Sequence, residues 1–501
     1  MIGLPDTQVA DQVMAYITAA RWFAGKGRLA SLRSLTPLPW LGEISDFFAG
    51  RVPAVRLEIA QVEYAVEADA AEAAAVEDPA WAGGPGQAVT PDENGPREFY
   101  QLAVSYRSAP HADLHHAEIA RFTQPELGSV VAYDAARDPE ACRVMLSALL
   151  SERRLADRDT TLRFHLTGRE GLTADLEPRV FTGQQSNTSV MLGDVAIVKM
   201  FRRLELGRNL DIEVHDALNR AGLEDVAGLF GWAEGSWNAE GVTCDADLVM
   251  VVEKLSGAVD GWDVALNALR AGTSFANEAE ALGRALAETH AALQQAFPTV
   301  ELSGAEVATI MKDRLRAASA IAPALLPYRE GLTRRFDEMS AMTLATQRVH
   351  GDFHLGQTLH TPDGWKIIDF EGEPAKTMAE RVVPDSVWRD VAGMLRSFDY
   401  AAASVPGPGS ADWAEECRQE FLRGYAGGEL VPADAAAVCA YEADKAIYEV
   451  IYEVRNRPDW VSIPLGAVST LAQTEHELDP GGTPPEPPDE LVRQRSSTDG
   501  I

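Results

Sequence analysis

The residues whose types and spacing could do chemistry are concentrated in one stretch of this chain. It reads Gln347-Arg348-Val349-His350-Gly351-Asp352-Phe353-His354-Leu355-Gly356-Gln357, then a turn at Thr361-Pro362-Asp363-Gly364, then Trp365-Lys366-Ile367-Ile368-Asp369-Phe370-Glu371-Gly372-Glu373-Pro374. Asp352 falls in a glycine-containing loop, and Asp369 ends a short apolar strand. The Asp363-Gly364 turn between them predicts a hairpin that brings the two carboxylates near each other. Gln357 lies five residues after Asp352. One carboxylate can take a proton from a hydroxyl, while an amide and a second carboxylate offer hard oxygen ligands to Mg2+. That is what phosphoryl transfer requires, since positioning and charge neutralisation replace a covalent nucleophile. Alone, a His-Gly-Asp tripeptide is a turn and an aspartate after an apolar pair is a strand end. The spacing of the two together carries the chemical reading.

These loops must be held by other elements. Apolar spacing predicts a helix over 8–20, and strand-like pieces follow at 54–59 and 99–106. Between about 65 and 98 the composition turns to Ala, Glu, Asp, Gly and Pro, which reads as an acidic surface insertion. Short strands are predicted at 162–166, 180–182, 189–192 and 195–199, a helix at 209–221, and a strongly β-prone run at 247–253 closed by Ser256-Gly257. Helices dominate afterwards, over 277–295, 306–321, 412–426 and 433–455; the first places Ala281, Leu282, Leu286, Thr289 and Leu293 on one stripe. The order is a small mixed region over 1–125, a sheet-rich region over 126–253, a helical region over 254–478 interrupted at 346–373, and a Pro-rich polar tail over 479–501 that reads as disordered.

His-x-Asp-x-x-x-x-Gln followed by Asp-Phe-x resembles the catalytic and metal loops of protein kinase-like phosphotransferases, which include the aminoglycoside phosphotransferases. Further blocks extend the likeness: Arg21-Trp22-Phe23-Ala24-Gly25-Lys26-Gly27-Arg28, Gln185-Ser186-Asn187-Thr188-Ser189, Arg389-Asp390-Val391-Ala392-Gly393-Met394-Leu395-Arg396-Ser397-Phe398 and Tyr448-Glu449-x-x-Tyr452-Glu453. With them, residues 18–475 resemble the actinobacterial maltokinase family, and the related glucosamine kinases stand close by. The resemblance implies a bilobal kinase-like α+β fold with an N-terminal cap, a β-rich ATP lobe and a mostly helical C-terminal lobe. It implies Asp352 as general base, Gln357 and Asp369 as Mg2+ ligands, and Lys199 at the end of Val195-Ala196-Ile197-Val198-Lys199 as the α/β-phosphate contact of ATP. Glu213 on the next helix would be the lysine's ion-pair partner, and the backbone of Glu253 would meet adenine. A Gly-x-Gly-x-x-Gly loop ahead of Lys199 is absent from the sequence; Gln185, Ser186, Asn187 and Thr188, with the backbone N–H groups of 183–188, would cap phosphates instead.

Beside these stand plainer readings. His350 would hold the catalytic loop by hydrogen bonding, and His354 would either do the same or line a sugar pocket. His290 reads as a satisfied core histidine, and Asp390 as a buried anchor for the catalytic loop. Arg389 would steady transition-state charge, or else pair with Glu371 or Glu373. A sugar needs planar hydrogen-bonding groups and an aromatic face, for which Glu371, Arg389, Tyr448, Glu449, Tyr452 and Trp460 qualify by type. Tyr448 and Tyr452 share a helix face one turn apart, a pattern that more often packs a core than binds a ligand. Trp22 and Lys26 read as seating the N-terminal region on the sheet lobe.

The implied reaction is Mg-ATP-dependent phosphorylation of a sugar, with maltose to maltose 1-phosphate leading and glucosamine to glucosamine 6-phosphate as the alternative. An aminoglycoside phosphotransferase, or a non-catalytic kinase-like module binding trehalose synthase, are further readings. Trehalose synthase is also the expected partner of a maltose kinase, and the chain is expected to be a monomer or weak oligomer. The 501 residues carry 44 basic and 76 acidic side chains, a net charge of −32, which disfavours nucleic acid and anionic membranes as partners. Lys199, Arg202, Arg203 and Arg208 form a basic cluster along the expected nucleotide path. Four scattered cysteines and the absence of an apolar leader or an apolar run of membrane-spanning length lead to a cytoplasmic expectation.

Overall fold

In the computed structural model, residues 7–65, 97–181, 187–373 and 376–473 are described. The body of the acidic insertion, the tail, and Gln185 and Ser186 lie outside them. Two compact units are formed, one from residues 1–302 with 343–438 and the other from 303–342 with 439–501.

The first unit opens with the helix Thr7–Ala19, which buries Val9, Val13 and Ile17 at helical spacing. It packs on an antiparallel sheet in the spatial order Ala30–Pro37, Ala54–Tyr64, Arg97–Arg107, Gly128–Asp134, Glu118–Gln124. The boundary expected at 125/126 therefore falls inside this sheet. The signal missed there is Ser129-Val130-Val131-Ala132-Tyr133, an apolar strand that returns to pair with Arg97–Arg107.

A second antiparallel sheet runs in the order Arg154–Asp157, Thr160–Leu166, Leu229–Ala239, Val242–Glu253, Ala196–Met200, Thr188–Leu192, Pro178–Val180. The helix Pro139–Leu150, N-capped by Asp138, sits between the sheets. Its Leu146 and Leu149 join one core with Val55 and Leu57 of the first sheet and Val190, Met200 and Val249 of the second. The helix Leu210–Arg220 starts at Asn209, whose side chain accepts from the Ile212 N–H.

Helices Ala276–Ala296, Trp388–Ser404 and Ser410–Ala426 complete the first unit around a core containing Leu282, Leu286, Leu293, Phe353, Leu395, Phe398 and Phe421. The region expected as one helical lobe over 254–478 thus divides between the two units. The second unit holds helices Gly304–Ile321, Arg329–Glu338 and Ser462–Ala472, and the helix Pro432–Asn456 from Cys439 onward. Inside it Arg314 pairs with Asp444 at 2.7 Å, both buried.

Candidate active site

The predicted hairpin forms between strands Thr358–Thr361 and Gly364–Ile367. Its buried Trp365 donates Nε1–H to Glu278 of helix Ala276–Ala296 at 3.0 Å, which seats it on the helical layer. The loops at either end then meet: a Cβ placed on Gly351 would lie 3.4 Å from the Gly372 Cα, and Gly351 has φ +86, a conformation a side chain strains.

Buried hydrogen bonds fix the loop that carries Asp352. Asp390, fully buried near the start of helix Trp388–Ser404, accepts from the N–H groups of His350 and Gly351 at 2.7 and 2.8 Å. His290 donates Nε2–H to the same carboxylate at 2.9 Å, and its Nδ1 lies 2.9 Å from the Tyr425 hydroxyl. Burial would raise the Asp390 pKa, but the hydrogen bond and charge of His290 outweigh it and hold the carboxyl below its ordinary range. His350 donates Nε2–H to the Ile368 carbonyl at 2.9 Å, and its Nδ1 accepts the Asp352 N–H at 3.4 Å. One imidazole therefore ties the Asp352 loop to the strand end that carries Asp369. His354 accepts the Gly356 N–H at 3.0 Å, which makes it a cap of the short turn Leu355–Gln357.

Asp369 adopts φ +67, a left-handed conformation rare for a residue other than glycine and typical of functional sites. Gln357 donates its amide to Asp369 Oδ2 at 3.2 Å. The expected metal ligands are thus in contact. Their donor set fits Mg2+, which takes one or two protein oxygens and completes its octahedron with water and phosphate; half a turn of the Gln357 amide would present its oxygen.

Lys199, the lysine expected at the phosphates, has a different partner from the one expected. Lys199 Nζ lies 2.8 Å from Asp211, whereas Glu213 pairs with Arg348 at 3.1 Å. Asp211 is fully buried, also receives His215 Nδ1 at 3.0 Å, and accepts the Phe370 N–H at 3.2 Å. One carboxylate so joins the lysine to the residue after Asp369. Burial opposes its charge, yet Lys199 and His215 outweigh burial and keep the carboxyl strongly depressed. Burial likewise disfavours the charged lysine, and Asp211, Asp369 and Glu371 reverse that into a raised pKa. The signal in the sequence was position: Asp211 and His215 fall on the apolar stripe with Val214 and Leu218, and a carboxylate on such a stripe must find a buried partner.

Glu371 is the unusual acid of the site. Burial, then the nearby Asp369 and Asp211 charges, raise its pKa to about 7 against the opposing pull of Lys199. Arg389 pairs with Asp385 rather than with Glu371 or Glu373. Burial would raise Asp385, but Arg389 and Lys376 hold it below the usual range. Glu253 ends its strand with its N–H on the Gly228 carbonyl at 2.7 Å and its side chain on Arg169 at 2.6 Å.

Every member of the basic cluster expected along the nucleotide path faces a carboxylate, Lys199 through Asp211. Arg202 is buried against Asp134, Arg203 pairs with Glu98 at 2.9 Å, and Arg208 pairs with Asp247 at 3.3 Å. The second unit holds Tyr448, Glu449, Tyr452 and Trp460. There Tyr452 is 43% exposed and Tyr448 half-buried, so the tyrosine pair does not pack a core; Glu449 and Glu453 are buried on that helix, as are Ile447 and Val450. Arg457 pairs with Glu453 at 2.6 Å and lies over the Tyr452 and Trp460 rings.

A two-sheet region feeding a lysine toward paired acidic loops on a helical base is the construction of a kinase-like phosphotransferase. Residues 238–436 match the phosphotransferase enzyme family (APH), and residues 16–138 match the maltokinase N-terminal cap domain. The chain carries an APH-type kinase domain together with a maltokinase-type cap. A glucosamine kinase from Streptacidiphilus jiangxiensis is 29% identical over 337 residues, 60% of this chain and 72% of that protein. One from Mycolicibacterium smegmatis is 26% identical over 323 residues, 58% of this chain and 79% of that protein. The structure of a glucosamine kinase in complex with glucosamine, ADP and inorganic phosphate shares the fold, covering 94% of this chain and 100% of its own at a TM-score of 0.60 and 20% identity. Among the described residues, no helix is long and apolar enough to cross a membrane.

Proposed function

We propose that this protein is an ATP-dependent sugar kinase and that its substrate is glucosamine. Asp352 takes the proton of the accepting hydroxyl as its oxygen attacks the γ-phosphorus, and the bond to the β,γ-bridging oxygen breaks to release ADP. Lys199, held by Asp211, contacts the nucleotide phosphates, and Asn187 and Thr188, at the start of the neighbouring strand, would cap them. Glu253 would meet adenine. Gln357 and Asp369 would hold Mg2+, which when bound neutralises phosphate charge. Arg389, paired with Asp385, would steady transition-state charge.

The choice of sugar rests on Glu371. Among the described residues no cation stands within ion-pair distance of its carboxylate, although it is substantially buried beside Asp369 and Asp211. An ammonium group of a substrate would relieve that repulsion, whereas an uncharged disaccharide would not. The likeness of the chain to two glucosamine kinases supports the same reading. The product would be glucosamine 6-phosphate. Tyr448, Glu449, Tyr452 and Trp460 are candidates for the remaining sugar contacts, and His354 for shaping the catalytic loop.

The match of residues 16–138 to a maltokinase cap favours a second reading, maltose to maltose 1-phosphate in the cytoplasm with trehalose synthase as partner. A coupled assay of ADP release with Mg2+ and glucosamine, maltose, glucose or kanamycin separates them. Glucosamine turnover that collapses in Glu371→Gln supports the first reading. Turnover of maltose alone transfers the assignment to the second, and no sugar-dependent turnover sinks both.

A further inference from the structure

We propose that Arg202 is a positioning residue through which the cap sets the phosphate end of the nucleotide site, so that residues of the cap helix tune ATP affinity. The inference rests on the kinase reading above. Arg202 lies three residues after Lys199, just past the strand Ala196–Met200, and is 0% exposed. Asp134 of the cap sheet receives its Nη2 at 2.8 Å on both carboxylate oxygens. Its Nε donates to the Thr188 Oγ1 at 2.7 Å, and Thr188 pairs in register with Met200 while Ser189 pairs with Lys199. Its backbone carbonyl accepts the Gln101 N–H at 2.7 Å, and the guanidinium lies 5.4 Å from the centroid of the Trp22 ring. Tyr16 of the helix Thr7–Ala19 completes the cluster, donating its hydroxyl to Asp134 Oδ2 at 2.5 Å.

This arginine cannot be a phosphate ligand, since its charge is already matched inside the fold. Its fork is instead used three ways, on a cap carboxylate, on the threonine that opens the strand beside Lys199, and over a cap indole. The two strand ends that flank the lysine are therefore cross-linked to each other and to the cap by one rigid group. Buried charge pairs hold their geometry because any displacement leaves a charge unmatched in a low-dielectric interior. Loosening the cap side of the cluster should let Thr188 and Lys199 move apart, which would weaken nucleotide binding without touching either residue.

The test is the affinity of the full-length protein for Mg-ATP, read by isothermal titration calorimetry, with the sugar KM and thermal unfolding measured alongside. Tyr16→Phe removes one hydroxyl, the one that donates to Asp134. The control, Tyr106→Phe, removes an equivalent buried hydroxyl that donates to Glu58 in the same sheet and does not contact Arg202. The expected result is an ATP Kd raised about three- to tenfold by Tyr16→Phe, with the sugar KM unchanged and with Tyr106→Phe at the wild-type Kd. Asp134→Asn should act in the same direction and more strongly; if it does not fold, Tyr16→Phe alone decides. An ATP Kd unchanged in Tyr16→Phe, or raised equally in both tyrosine variants, overturns the inference. Wild-type protein that binds no Mg-ATP overturns the kinase reading itself, and this inference with it.

Discussion

Asp211→Asn offers the sharpest test of how the site is held. The carboxylate is 1% exposed and faces Lys199 at 2.8 Å, His215 at 3.0 Å and the Phe370 N–H at 3.2 Å. An amide keeps one oxygen acceptor but loses the charge, so the lysine stays partly buried, 27% exposed, without its counter-ion. Removing one member of a buried ion pair costs about 3–5 kcal/mol; the partial exposure of the lysine places this case near the lower figure, about 3 kcal/mol. Glu213→Gln loosens only the Glu213–Arg348 pair, whose side chains are 35% and 12% exposed, and should cost less than about 1 kcal/mol. The assay is chemical denaturation of Asp211→Asn, Glu213→Gln, Lys199→Met and the double variant Lys199→Met/Asp211→Asn. The double variant should lose about 2 kcal/mol less than the sum of its singles, because neither charge is then stranded. The pH dependence has a definite sign. Asp211 is depressed in the folded state, so its stabilisation is present above the unfolded carboxylate pKa and is lost as pH falls through the acid range. In kinetics, Asp211→Asn should raise the Mg-ATP KM at least about tenfold, equivalent to about 1.4 kcal/mol of binding. Equal losses from Glu213→Gln and Asp211→Asn, or strict additivity in the double variant, would refute this account of the lysine.

Asp352→Asn should lower kcat by about 10²–10⁴ while Mg-ATP binding measured by calorimetry stays near wild type; unchanged turnover removes Asp352 from the base role. Gly393→Ala places a Cβ 2.4 Å from the Phe353 carbonyl beneath the catalytic loop, so it should cost about 1–3 kcal/mol in denaturation and depress kcat; retention of full kcat would show that the loop tolerates the displacement. Asp225 is raised to about 6, first by burial and then by Glu288, so its charging above that pH opposes folding. Asp225→Asn should therefore stabilise the protein by about 1–2 kcal/mol at pH 7.5, after discounting for screening, and the gain should vanish near pH 4; a gain that is the same at both pH values rejects the paired-carboxylate explanation.

What the sequence reveals here follows from which interactions are local. The hairpin Thr358–Ile367 and the helix Ala276–Ala296 are written in turn chemistry and periodicity over a few residues, and they fall where the pattern places them. The contact between Gln357 and Asp369 follows from that hairpin, so the meeting of the amide and the second carboxylate was legible too. The partner of Lys199 was not, because a family spacing selects Glu213 while the choice between two acids two residues apart is made by which face of helix Leu210–Arg220 meets the core. The strand Gly128–Asp134 was missed, and the region boundary placed before it, for a related reason. Its partner Arg97–Arg107 lies across a turn and another strand, and pairing order is a property of the assembled sheet. Charge was the most misleading signal. Arg202, Arg203 and Arg208 look from sequence like a phosphate-binding run beside Lys199, yet each meets a carboxylate from 39 to 105 residues away in the chain. A cluster of cations is only as positive as its partners allow, and here the proposed chemistry rests on Lys199, held by Asp211, and the two acidic loops.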